Sequence, residues 1–164
     1  AAVLIVVLLV LFLGDARAAI TVTAVLPLAA LATFVAMEQI GLSANLMSLG
    51  GLAIAIGMLV DAAVVVVENV VARAGEPRQG DRQPLLHVVY RAVKEVAVPV
   101  IGGITIIAVV FLPLLTLQGL EGKLFRPVAL TIVIALAASL LLSLTVIPVI
   151  ATYLLKPGGH HEPW

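Results

Sequence analysis

Residues Leu46 to Val67 read LMSLGGLAIAIGMLVDAAVVVV, 22 consecutive positions in which Asp61 is the single charge. About 20 apolar residues are enough for an α-helix to cross the ~30 Å hydrocarbon layer of a bilayer. The apolar positions are continuous and do not alternate, which favours a helix over a barrel strand, and lipid accepts only these two spanning structures. Three further runs carry no charge at all: Ala18 to Met37 (20 residues), Val96 to Leu117 (22) and Pro127 to Leu155 (29). Residues 1–13 form a shorter apolar run, without a preceding Met or basic segment, so it does not read as a signal peptide. It reads instead as the second half of a helix whose beginning lies upstream. The expectation is an all-α polytopic transmembrane bundle with five spans, the first truncated.

Composition agrees with this reading. Of 164 residues, 63% are hydrophobic and 11% charged, where soluble domains run near 45–50% and 25%. A water-soluble globular domain is therefore excluded. Nine basic residues balance nine acidic ones and aromatics make up 4%, so there is neither a basic field nor a set of stacking rings for nucleic acid. Cysteine is absent, which removes disulfides, thiolate metal sites and thiol nucleophiles. No Gly-x-x-x-x-Gly-Lys-Ser/Thr loop occurs, so the sequence offers no phosphate cradle for ATP.

The connections assign orientation. With five spans, one face receives Arg17, Arg73, Arg78, Arg82, Arg91, Lys94 and Lys156, and the other only Lys123 and Arg126. Basic residues accumulate in cytoplasmic loops, which places Glu38 to Asn45 and Gln118 to Arg126 on the outer side. Residues 74–84 read as a hydrated loop. Within Leu85 to Glu95, Leu86, Val89, Tyr90 and Val93 recur at helical spacing, the pattern of an amphipathic helix on the inner surface that feeds the next span. The transmembrane region thus covers residues 1–156 and a cytoplasmic tail residues 157–164. In that tail His160-His161-Glu162 lacks the ligand spacing of a metal site.

Asp61 carries the chemistry. An ionised carboxylate near mid-span costs about 2.5–3.5 kcal/mol on insertion scales, and Asp61 lies roughly 10 Å inside the end of its run, out of reach of the headgroups. A proton or a cationic partner can remove the cost, so the residue has a proton-dependent state. Gly57, four positions earlier, shares its face, and Gly50, Gly51, Ala62 and Ala63 keep the helix narrow enough to pack closely. Glu68 follows seven residues on, about 10 Å nearer the cytoplasm, so the two acids form a two-step track. Asn69 reads as a hydrogen-bonding group at the helix end. His87 falls on the amphipathic helix as a solvated residue.

At these residues a family resemblance enters. Asn45-Leu46-Met47-Ser48-Leu49-Gly50-Gly51 followed by Gly57-Met58-Leu59-Val60-Asp61-Ala62-Ala63 and Val67-Glu68-Asn69 resembles the fourth transmembrane helix of resistance-nodulation-division (RND) efflux permeases. Phe111-Leu112-Pro113-Leu114, Gly119-Leu120-Glu121-Gly122-Lys123-Leu124-Phe125 and Pro127-Val128-Ala129 resemble the stretch between that family's fifth and sixth helices, and Leu11-Phe12-Leu13-Gly14-Asp15-Ala16-Arg17 the end of its second. The multidrug branch carries two adjacent acids where this chain has Asp61 followed by Ala62, and the single acid is more similar to the heavy-metal branch.

The resemblance implies a transmembrane half-domain of a proton antiporter, a transporter and not an enzyme, that exports heavy-metal cations across the bacterial inner membrane. It further implies a homotrimer working with a periplasmic adaptor and an outer-membrane channel, surrounded by membrane lipid, with no cofactor and no nucleic acid. Asp61 takes the role of proton-relay acid and Glu68 that of its neighbour, with Gly57, Ala62 and Asn69 packing beside them. Met47 falls where copper/silver members place a thioether, a soft ligand for Cu(I) or Ag(I). A lone Met is also an ordinary packing residue, which leaves divalent Zn, Co, Cd or Ni open beside Cu and Ag. Two alternatives remain: a multidrug or organic-solute RND pump, and a non-transporting membrane accessory protein with Asp61 as a packing residue.

Overall fold

The structure is a computed structural model that describes residues 7, 10, 11, 16–75 and 84–154. All but the connections between elements are helical, and no strand occurs among the described residues. Four long helices follow in order: α1 (Ala16–Gln39), α2 (Leu46–Gly75), α3 (Leu85–Leu115) and α4 (Gly119–Leu154). Each is long and apolar enough to cross a membrane. The fold class expected from the sequence is the one observed. The expected first span, apart from Val7, Val10 and Leu11, and the tail 157–164 lie outside the described residues.

Helix α4 is the centre of the bundle and touches the other three, most extensively α2. The buried clusters give the relative directions. Ala29 of α1 meets Leu52 and Ala55 of α2 and Ile132, Ala135 and Leu136 of α4 at one end. Ala18, Ala19, Val22 and Val25 meet Ala63, Val66, Val67 and Ile147 towards the other. Thus α1 runs antiparallel to α2 and α4, which are parallel to each other. Val89 and Ala92 of α3 join Val70 and Ala151, while Ile104, Ile107 and Phe111 pack near Leu52, so α3 is antiparallel as well. Alanine and valine dominate these contacts because lipid tails are as apolar as any side chain. Close van der Waals approach is then what holds membrane helices together.

Gly51 is the sharpest case of that approach. A methyl group there would stand 2.7 Å from the Val128 carbonyl oxygen and 3.1 Å from the Val128 Cα. Only hydrogen fits at the α2–α4 crossing. Gly57, by contrast, has open space within 4 Å on that side, so the close contact inferred from the glycines of α2 falls at Gly51.

The start of α2 explains part of the Asn45–Gly51 motif. The Asn45 Oδ1 accepts a hydrogen bond from the Ser48 N–H at 2.9 Å, and the Ser48 Oγ accepts one from the Asn45 N–H at 2.9 Å. This reciprocal pair satisfies two donors at a helix end that would otherwise lack partners.

Two boundaries differ from the sequence expectation. The surface helix 85–95 and the span 96–117 are one uninterrupted helix, α3. The charges Arg91, Lys94 and Glu95 mark where polarity ends, and a helical backbone crosses that limit without a break. The supposed outer loop 118–126 is likewise helical from Gly119, eight residues before Pro127. Gly119 turns the chain with φ +74, Glu121 lies in the first turn, where a carboxylate complements the free N–H groups, and Lys123 and Arg126 are exposed. Gly122 abuts the Leu117 carbonyl so closely that a Cβ would collide with it. Pro127 removes a single backbone donor and the helix continues through it, as the others do through Pro27, Pro99, Pro113 and Pro148.

Candidate functional site

Asp61 sits at the middle of α2, and neither end of that 30-residue helix is near. It lines a cavity of about 290 Å³ whose other walls are Met58, Ala62 and Val65 of the same helix, Pro99, Val100, Gly103, Ile104 and Ile107 of α3, and Leu136 of α4. Asp61 is the single ionisable side chain in that lining. Its carboxylate makes no hydrogen bond and no ion pair among the described residues. The α3 wall opposite the acid includes Pro99 and Gly103.

The structure divides the expected site residues. Ala62 is buried against the bundle, Asp61 and Gly57 are exposed, and Asp61 and Ala62 share the cavity. Glu68 is exposed, outside that lining, and has no hydrogen-bond or ionic partner among the described residues. Asn69 does more than finish a helix. Its Nδ2 donates to the Ala92 carbonyl of α3 at 2.7 Å and reaches the Glu95 Oε2 at 3.5 Å. Beside it the Arg73 guanidinium meets the same Glu95 oxygen, from Nε at 3.1 Å and from its terminal nitrogen at 3.0 Å. Asn69, Arg73 and Glu95 thus form a polar latch between α2 and α3, about 12 Å along the helix from Asp61.

No group of three or more His, Asp or Glu side chains that could hold a metal ion occurs among the described residues. Met47 is exposed in the first turn of α2, remote from the cavity, whereas Met58 stands in the cavity wall beside Asp61. Its neighbours there come from α3 and α4 as well as from its own helix, so no pattern within α2 alone singles Met58 out. Arg73 and Glu95 were also missed as a pair, although their opposite charges at the facing ends of two consecutive helices were the available signal.

Asp61 thus sets a single carboxyl group in an apolar-walled cavity midway along α2. Residues 1–163 match the model of the AcrB/AcrD/AcrF family. The chain belongs to that family. Among AcrB/AcrD/AcrF-type relatives, the cobalt-zinc-cadmium resistance protein CzcA of Cupriavidus metallidurans is 45% identical over 152 residues, 90% of this chain and 14% of CzcA. The nickel-cobalt-cadmium resistance protein NccA of Alcaligenes xylosoxydans xylosoxydans is 39% identical over 160 residues, 94% of this chain and 15% of NccA. A crystal structure of a heavy metal efflux pump superposes with a TM-score of 0.74 at 37% identity, covering 90% of this chain and 14% of the pump. The chain therefore spans about one seventh of the length of these AcrB/AcrD/AcrF-family relatives. The resemblance read in the sequence to RND permeases of the heavy-metal type is the relationship found.

Proposed function

We propose that this chain is part of the transmembrane domain of a proton-driven permease that exports divalent heavy-metal cations, with Asp61 as the proton-carrying group. The observation that carries the reading is the Asp61 carboxylate, alone in an apolar mid-span cavity between α2, α3 and α4 and without a partner among the described residues. Protonation from the outer side neutralises it and lets α2 and α3 close over the cavity. Release towards the cytoplasm restores the charge and the open packing. Glu68, about 10 Å further along α2, lies on the exit side and receives the proton. A proton crossing the membrane supplies about 2.3 kcal/mol per 100 mV before any pH gradient is added.

Divalent cations are preferred over Cu(I) and Ag(I) for two reasons. CzcA and NccA are named for resistance to cobalt, zinc, cadmium and nickel. Met47 also stands exposed at the start of α2, away from Met58 and Asp61, whereas soft monovalent ions select clustered sulfur ligands. The working assembly is a homotrimer in the inner membrane coupled to a periplasmic adaptor and an outer-membrane channel, as in pumps that export across two membranes.

The test is metal susceptibility of cells producing the permease that contains these residues, wild type beside Asp61→Asn, with assembly checked by size-exclusion chromatography. Asparagine keeps the shape and cannot carry the proton. Resistance to zinc, cobalt, cadmium or nickel should vanish while the assembly remains intact. Retained resistance would refute the assignment of Asp61, and drug resistance without metal resistance would move the protein to the multidrug branch.

A further inference from the structure

A second cavity, about 620 Å³, opens between the first half of α3 and the last third of α4, well within the ~300–1,000 Å³ range of small-molecule sites. Its walls are apolar, with Leu86 of α3 and Val149 of α4 strongly exposed at 67% and 54%. No acidic side chain lines it. Three polar side chains do so from α3: His87, Tyr90 and Lys94, all exposed. None of the three has a side-chain hydrogen bond or ion pair among the described residues. Thr152, in contrast, is engaged, its hydroxyl donating to the Val149 carbonyl at 2.6 Å. Glu95, the neighbouring acid that could neutralise Lys94, is held by Arg73 on the other side of α3.

We propose that this groove binds one anionic phospholipid, with an acyl chain against Leu86, Leu144 and Val149 and the phosphate at Lys94, assisted by Tyr90 and His87. An apolar trough with free cationic and hydroxyl donors at its rim is complementary to an anionic amphiphile and to nothing purely apolar. Its position in the membrane fits: the basic excess puts this end of the bundle at the cytoplasmic leaflet, which carries anionic lipid. Tyrosine and lysine are the side chains that sit at that boundary, ring or stem in the apolar layer and polar tip in the headgroups. The proposal needs the membrane orientation and is independent of which solute the permease moves.

The experiment is native mass spectrometry of the permease containing these residues, titrated in detergent with phosphatidylglycerol or with phosphatidylcholine. The wild type should retain phosphatidylglycerol about fivefold more tightly, the preference that one basic side chain confers at an anionic lipid headgroup. Lys94→Gln should erase that preference and Lys94→Arg keep it. Val149→Trp, which fills the apolar wall and leaves the charge, should reduce retention of phosphatidylglycerol to the phosphatidylcholine level. Equal retention of the two lipids by the wild type, or a preference that survives Lys94→Gln, would overturn the proposal. So would a Val149→Cys variant shielded from a lipid-soluble maleimide in lipid-free micelles, because the groove is then covered by another part of the protein.

Discussion

Replacing one hydrogen by a methyl group at Gly51 should separate α2 from α4, while the same replacement at Gly57 should not. At Gly51 the new Cβ would stand 2.7 Å from the Val128 carbonyl oxygen, about 0.7 Å short of the 3.4 Å where ordinary contact begins, and 3.3 Å from the Thr131 Cβ. The first obstacle is backbone, so no rotamer change relieves it and one helix has to move. Forcing extra volume into a packed interior costs about 1–3 kcal/mol, and exchanging glycine for alanine inside a helix returns about 0.5–1 kcal/mol. The net loss at Gly51 is then about 0–2.5 kcal/mol, with a midpoint of about 1 kcal/mol. At Gly57 nothing lies within 4 Å, so only the gain of about 0.5–1 kcal/mol remains. Helix content followed by circular dichroism during an SDS titration in mixed micelles reads the difference. Gly51→Ala should unfold at lower SDS than wild type and Gly57→Ala at equal or higher SDS. Coincident curves for the two variants would refute the claim that the α2–α4 crossing is limited by Gly51.

The latch and the core offer two further tests. Asn69→Ala removes the 2.7 Å bond to the Ala92 carbonyl and should cost about 1 kcal/mol in the same titration, whereas Glu95→Gln, which weakens an exposed pair with Arg73 at 42% and 37% exposure, should stay within about 0.5 kcal/mol. A larger effect at Glu95 than at Asn69 would reverse the assigned order. Ser143→Ala should leave thermal unfolding unchanged or raise its midpoint, because the buried Ser143 hydroxyl has no hydrogen-bond partner among the described residues and an unsatisfied polar group destabilises its site. A clear fall in the midpoint would mean that the hydroxyl is bonded in the assembled protein.

The helical type of the four described elements was legible because charge-free runs such as 96–117 and 127–155 have one physical meaning in lipid. Their ends were not. Arg91 to Glu95 and Glu121 to Arg126 mark the limits of the apolar layer, and the structure shows helix on both sides of those limits. Asp61 stood out for the energetic reason that makes it a site candidate, and the structure gives it the cavity. Asn69 was recognised as a hydrogen-bonding residue with its partner hidden, since that partner is a backbone carbonyl, which every residue possesses and no sequence marks. The Arg73–Glu95 pair and the cavity walls at Pro99, Gly103 and Leu136 depend on the relative registers of three helices, and no local pattern in one chain segment contains that information.

The latch also separates the geometry of α2 and α3 from the length of chain that joins them. Closing a flexible connection costs only about 0.6 kcal/mol more for each doubling of its length, less than the roughly 1 kcal/mol of a single hydrogen bond such as that from Asn69 to Ala92. The helix pair is therefore held by its own contacts, of which the Asn69–Ala92 bond is one. An epitope or a small reporter inserted between Gly75 and Pro84 should leave the two helices paired, which makes that position a handle for following the protein in cells.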